Sequence, residues 1–447
     1  MKRVFLALAL AVSAAGVVVS AETYKAAETF DTVWRIVRDT NFDPSFDSAK
    51  WDLVGKELRP KALAASTPGE FRAVLRDMLG RIGLSHFAVI PASPDSPSEH
   101  RSGGSEPGFD VRLIDRQLVV SSVDPGGGAA AADVRPGWIV ERIDQTPVAT
   151  LLGGIADGTS ARIAQLEAWR LAVTRLRGES GSKVQVGFLD GTGSAVTKTI
   201  ERRPEQGTPV TVGNLPTMYV RVTASLESTP GGRKAGVIAF NVWMAAVDEQ
   251  FSKAIDRFRS ADGIVIDLRG NPGGLAAMIM GLAGHFLNDK AVLGVMRTKG
   301  SASELRFPAN PRLVNTAGER VEPYAGPLAI IVDGLTGSAS ECFTGGLQSL
   351  GRARVFGETS MGQALPALFD TLPNGDVFIH AWGDFVTGTG VRIEGRGVVP
   401  DEKVALTRAS LLAGRDAPLE AALAWIDRAR SAKPERQAFL RSAAGIW

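Results

Sequence analysis

Sulfur is scarce in this chain: 447 residues hold one cysteine, Cys342. A single thiol excludes an internal disulfide and any cysteine-based zinc site. It falls just inside an expected helix, where a small buried thiol fits. Histidine is nearly as rare, with His86, His100, His285 and His380, so imidazole chemistry has few candidates. His100 lies in a polar loop, His285 in an apolar helical run and His380 in an alternating strand. No lysine occurs between Lys299 and Lys403. One sign of charge hardly exceeds the other: 50 Lys and Arg face 48 Asp and Glu, for a net charge of +2. Lys2 and Arg3 supply that excess, which argues against a nucleic-acid surface. The dinucleotide pattern G-x-G-x-x-G and the phosphate-binding Gly-Lys-Ser/Thr are absent. Asp110, Asp267, Asp333 and Asp401 are too scattered to suggest a metal, and no cofactor is implied. After the first twenty residues no run is long and apolar enough to span a membrane.

What is present is ordinary in bulk. Hydrophobic residues make up 44% and charged residues 22%, as in a soluble globular protein. The length allows two or three domains. Met1–Ala21 has a Lys2-Arg3 start, an apolar core from Val4 to Val19, and a small-residue site at Val19-Ser20-Ala21, the parts of a secretory signal. Export, cleavage after Ala21, and a periplasmic or secreted location are expected. A membrane anchor fits less well, because the run is short and rich in Ala and Ser.

From Glu22 to about Leu84 the pattern is helical. Phe30, Val33, Trp34 and Val37 share one face. Trp51, Val54 and Leu58 mark a second helix, expected to stop at Pro60. Thr67-Pro68-Gly69-Glu70 carries a capping-box start for a third. The module exits through Gly83-Leu84-Ser85-His86 into an apolar strand, and on residue chemistry alone His86 is only slightly favoured among the histidines. Pro91 to Pro107 reads as a linker. Two strands, a small-residue stretch from Asp124 to Ala131 leading into a short helix, and Arg135-Pro136-Gly137-Trp138 before another strand then resemble a PDZ module, with Trp138 in place of the usual aspartate. The resemblance implies a groove near Gly108, Phe109, Asp110 and Val111 that takes an extended peptide by strand addition; a module serving only as a spacer is the alternative. Leu166–Leu176 reads as a helix and Val184–Leu189 and Ala195–Ile200 as closing strands.

After Gly207 strands and helices alternate, the mark of a layered α/β fold. Gly263–Arg269 is a buried strand, followed by Gly270-Asn271-Pro272-Gly273-Gly274 and a helix expected over Leu275–Leu287. Leu328–Val332 is another buried strand, and a helix begins near Ser340. Ser338 therefore stands where a strand hands over to a helix, among unpaired N–H groups. It could attack a carbonyl and have the oxyanion held by backbone donors, or Ser338 and Ser340 could simply cap the helix.

Asp267-Leu268-Arg269-Gly270-Asn271-Pro272-Gly273-Gly274 together with Gly337-Ser338-Ala339-Ser340-Glu341 resembles the C-terminal processing, or tail-specific, serine proteases. Gly351-Arg352-Ala353, Gly357-Glu358-Thr359 and Gly397-Val398-Val399-Pro400-Asp401 extend the likeness. It implies Ser338 as nucleophile, with the N–H of Ala339 and one from Gly273-Gly274 as oxyanion hole. The tail-specific branch uses a lysine base; here Gln363 holds that place, and glutamine cannot take a proton from serine. A second branch, similar to the tricorn protease core, uses a Ser-His pair ahead of the nucleophile and a late glutamate. Gly83-Leu84-Ser85-His86 and Arg392-Ile393-Glu394-Gly395 match, so this resemblance implies His86 as base with Ser85 and Glu394 supporting it.

The expected protein is an α/β serine endopeptidase. Its parts are a signal at 1–21, a helical module at 22–90, a PDZ-like β domain at 104–204, and a ClpP/crotonase-like α/β protease core at 207–447. Its partners are unfolded polypeptides or C-terminal tails. A helix over Asp416–Ala429 is free to pack on the core or on a second copy in a homo-oligomer. The rival reading is a peptide- or ligand-binding protein on the same scaffold that hydrolyses nothing.

Overall fold

A computed structural model describes residues 25–92, 104–156, 158–211, 217–299 and 304–431. The expected signal, His100 and most of the Pro91–Pro107 linker lie outside these residues.

Buried apolar strands organise the core. Six strands run in the order Val222–Ser228, Lys234–Phe240, Gly263–Asp267, Leu328–Val332, Arg354–Gly357 and Glu402–Lys403. The first pair is antiparallel and the others are parallel. Both faces are covered, as parallel sheets require. Ile264, Ile266, Ile330 and Val332 point to the side packed by the Ala246–Phe258 and Ala339–Ser349 helices. Their neighbours Val265, Ala329 and Ile331 meet Ala422, Leu423 and Ile426 of the terminal helix, Ala417–Ser431. That helix therefore lies on its own core sheet.

The helix expected over Leu275–Leu287 is shorter, Met278–Ala283. The carbonyls of Met280 and Gly284 accept N–H groups of Asn310 and Arg312, so the incoming chain takes bonds that a longer helix would use. At the other end of the chain, Ser48–Ala64 continues past Pro60. Pro60 is exposed, while Leu58 and Ala62 are buried in the N-terminal core. The missing N–H bond thus falls on the solvent side and the packing carries the helix through.

Three helices, Ala26–Thr40, Ser48–Ala64 and Pro68–Gly80, pack against a small antiparallel sheet of Ala88–Ile90, Val377–Ala381 and Ala367–Thr371. Arg72 grips Asp376 through Nε (2.9 Å) and Nη2 (2.6 Å), and both are buried. This junction brings the segment before Ala88 up to the core. Between the three helices and the six-stranded sheet in chain order comes an antiparallel sheet of Phe109–Ile114, Gln117–Val123, Ile139–Ile143, Lys183–Leu189 and Ala195–Glu201, with the Ala161–Leu176 helix against it. Ser105–Glu106 and Arg203–Pro204 pair where the chain enters and leaves. No helix among the described residues is long and apolar enough to cross a membrane.

Candidate active site

Ser338 follows the Leu328–Val332 strand and immediately precedes the Ala339–Ser349 helix, with φ 53° and ψ −121°. A serine in that region is strained and persists only where its surroundings fix it. Here its N–H is held by the Gln363 carbonyl (2.8 Å) and the Glu341 carboxylate (3.1 Å). The motif alone assigns Glu341 no role, although a glutamate three residues after a serine is capping-box spacing. Ser340, by contrast, is fully buried; it accepts the Trp243 indole N–H (2.8 Å) and donates to the Asn271 carbonyl (3.2 Å).

His86 arrives from the other end of the chain, 252 residues away, with Nε2 3.3 Å from Ser338 Oγ. Adjacent residues of a straight strand face opposite ways, yet Ser85 and His86 both turn inward. Positive φ at Gly83 (71°) and His86 (60°) provides the bend. Ser85 Oγ lies 2.8 Å from His86 Nδ1 and donates to Glu394 Oε2 at 2.9 Å. Glu394 Oε1 accepts the Ser85 N–H at 2.9 Å. A carboxylate only accepts, so the Ser85 proton goes to Glu394 and its oxygen takes Nδ1–H. Nε2 is then bare and faces the Ser338 hydroxyl. Burial pulls His86 down to about 4, which keeps the ring neutral near pH 7. Burial pushes Glu394 up, opposed by the N–H groups of Ser85 and Ala364.

Two turns are laced together beside Ser338. The Gly337 N–H donates to the Asn271 carbonyl (3.0 Å). Gly273 has φ 101°, and a Cβ there would sit 2.5 Å from Ser338 Cβ, so only glycine lets the turns meet. The Gly273 N–H is taken by Asn271 Oδ1 (3.0 Å). No bond is seen from the N–H of Gly274 or Ala339 among the described residues. Of the two glycines expected as oxyanion donors, Gly273 is thus the one whose N–H is already taken.

The segment Gly108, Phe109, Asp110 and Val111 lies apart from this cluster, at the edge strand of the antiparallel sheet. Phe109 and Val111 are buried in that sheet's core. Val120, opposite Val111, gives its N–H to Trp138 and accepts from Gly137, so Val111's own polar groups face the open edge. They are occupied: the N–H by Asp110 Oδ1 (2.9 Å) and the carbonyl by Arg112 Nη1 (3.0 Å). Trp169 of the neighbouring helix also donates to Asp110 (2.9 Å).

Arg112 reaches further, a contact that nothing in the local sequence marks. Its Nε meets Asp333 Oδ2 at 2.8 Å. Asp333 Oδ1 accepts the N–H groups of Gly270 (2.9 Å) and Leu335 (3.1 Å), one from each laced turn. Burial alone would raise the Asp333 carboxyl; Arg112 and the Gly270 N–H outweigh it and hold it below its usual range. Two of the scattered aspartates, Asp110 and Asp333, thus converge on a guanidinium. A second serine–histidine pair, Ser252 Oγ and His285 Nε2 at 3.0 Å, is sealed in the core. His380 is buried beside Asp370 (2.7 Å).

Comparison with known proteins agrees with this layered core on the class: the chain is a serine peptidase. Residues 234–404 match Peptidase family S41, and residues 23–80 match the Tricorn protease C1 domain. The chain is 26% identical over 382 residues to the carboxyl-terminal-processing protease of Picosynechococcus sp., covering 83% of this chain and 81% of the relative. It is 24% identical over 378 residues to the protein of that name from Synechocystis sp., covering 83% and 79%. In fold it is similar to the photosystem II D1 C-terminal processing protease, with TM-score 0.56 and 22% identity, over 91% of this chain and 97% of that one. Mature CPAF also superposes, with TM-score 0.56 and 13% identity, over 95% and 99%.

Proposed function

We propose that the protein is an exported endopeptidase that cleaves unfolded polypeptides or C-terminal tails, with Ser338 as nucleophile and His86 as general base. The observation that carries this is the unbroken hydrogen-bonded series from Ser338 through His86 and Ser85 to Glu394. Ser338 Oγ attacks the carbonyl carbon while its proton passes to His86 Nε2. The Gly274 and Ala339 N–H groups receive the oxyanion. Collapse breaks the C–N bond, and the amine leaves with the proton from Nε2. Water, deprotonated at the same nitrogen, then hydrolyses the ester.

In this reading 1–21 is a signal peptide, 22–90 a helical module delivering His86, 104–204 a PDZ-like domain and 207–447 the catalytic domain. A substrate tail pairing at Val111 would displace the Asp110 and Arg112 contacts that now occupy that edge.

A fluorophosphonate probe should modify Ser338, read by mass spectrometry of the digested protein. Modification should vanish in Ser338→Ala and fall steeply in His86→Asn. An unlabelled, folded wild type would return the binding-protein reading. A pH series gives a second result. The folded His86 sits near 4 against an ordinary value of 6.5, so the acid limb of kcat/KM is expected below pH 6.5. A depressed folded value also means that the unfolded chain takes up this proton first. Stability from His86 is complete above pH 6.5 and declines as pH falls toward 4. An acid limb at or above 6.5 would contradict this placement of the base.

A further inference from the structure

Two carboxylates flank the Ser338–His86 pair, and two consecutive residues join them. Gln363 gives its N–H to Glu341 Oε2 (2.9 Å), and its carbonyl accepts the Ser338 N–H (2.8 Å). The next N–H, of Ala364, goes to Glu394 Oε2 (2.9 Å). Glu341 is completely buried and accepts four bonds. These come from Ser360 Oγ (2.5 Å) and from the N–H groups of Gly362 (2.6 Å), Gln363 (2.9 Å) and Ser338 (3.1 Å). Ser360 Oγ itself accepts the Val398 N–H (2.7 Å), so its proton is committed to Glu341. Burial pushes the Glu341 carboxyl up to about 7, yet every partner is a donor, which matches the ionised form.

We propose that Glu341 is a positioning residue for the reaction: with the 360–364 segment it sets the span between the Ser338 hydroxyl and the Glu394 end of the series. This rests on the reading of Ser338 and His86 given above. Ser338 N–H has two acceptors, and both belong to this arrangement: Glu341 directly, and Gln363, whose own N–H Glu341 holds. Without them the strained φ of Ser338 loses its restraint, and Oγ swings away from Nε2. Ala364, one residue on, loses its fixed bond to Glu394 in the same event, so Ser85 and His86 are displaced as well. Gln363 stands where the tail-specific branch carries its basic side chain; in this chain the backbone N–H groups of Gln363 and Ala364 act there, one on each carboxylate.

The test compares full-length wild type, Glu341→Gln and Ser360→Ala. Glu341→Gln conserves volume but sets an –NH2 among N–H donors. It is expected to lower kcat about 100-fold, the scale of a misplacement near 1 Å, with KM changed less than about twofold. Fluorophosphonate labelling of Ser338 should slow in parallel. Ser360→Ala removes one donor and should lower kcat about three- to tenfold, on the scale of one lost hydrogen bond. Phe356→Leu, on the far face of the core sheet, serves as a stability control and should lower the melting temperature while leaving kcat intact. A folded Glu341→Gln with kcat within about threefold of wild type overturns the proposal. If that variant does not fold, Ser360→Ala decides, and unchanged kcat and labelling rate overturn it. Wild type that is never labelled at Ser338 defeats the underlying reading instead, so the two failures are distinct.

Discussion

His86→Asn should lose about four to six orders of magnitude in kcat, the range seen when a serine hydrolase loses its histidine or its correct tautomer. Asparagine is the better replacement because His86 has φ 60°, a conformation asparagine tolerates more readily than alanine. The loss follows from the arrangement itself. The chain has no lysine between Lys299 and Lys403, and Nε2 is the basic atom facing Ser338 Oγ at 3.3 Å. Glu394→Gln acts through Ser85 and should cost less, about 10- to 100-fold, because the imidazole remains. Casein or a quenched-fluorescent peptide, read over hours to reach the low rates, measures both. Retention of kcat within tenfold in a folded His86→Asn enzyme would falsify the assignment of the base.

The second large effect belongs to Arg112→Met. This residue and Asp333 are both almost wholly buried, and removing one partner of such a pair typically costs about 3–5 kcal/mol because the other is left charged. Asp333 would retain bonds from Gly270, Leu335 and Thr336, which places the expected loss toward the lower half of that range. Thermal or urea unfolding measures it. Adding Asp333→Asn to Arg112→Met should recover at least half of the stability, since the uncompensated charge goes with it. Activity should not recover equally, because the turns carrying Gly270 and Leu335 stay slack. Strict additivity of the two substitutions would show that the pair is not coupled.

The strands and the approach to Ser338 were legible because they depend on local pattern. Leu328–Val332 is continuous apolar sequence, and the small residues after it leave little choice but a turn. The place of His86 beside Ser338 was legible through two facts together, the Gly-x-Ser-His setting and the absent lysine. Period and spacing said nothing of Arg112, whose partner Asp333 lies 221 residues away; a lone arginine in an apolar strand looks like any strand-edge charge. The spacing of Glu341 after Ser338 could at most have suggested a cap; its other three bonds come from residues brought over by the fold. Pro60 misled for a related reason: local chemistry favours a stop there, but burial on the opposite face of the helix outweighs one missing bond.

The series that aligns the imidazole closes only at Glu394, 309 residues beyond Ser85. A ribosome releases Ser85, His86 and then Ser338 well before that glutamate emerges. A nascent chain, or one truncated before residue 394, therefore lacks the carboxylate that holds Ser85, and with it the bond that fixes the imidazole. On the proposed reading, competence to cut is in this way deferred until Glu394 has emerged and folded into place.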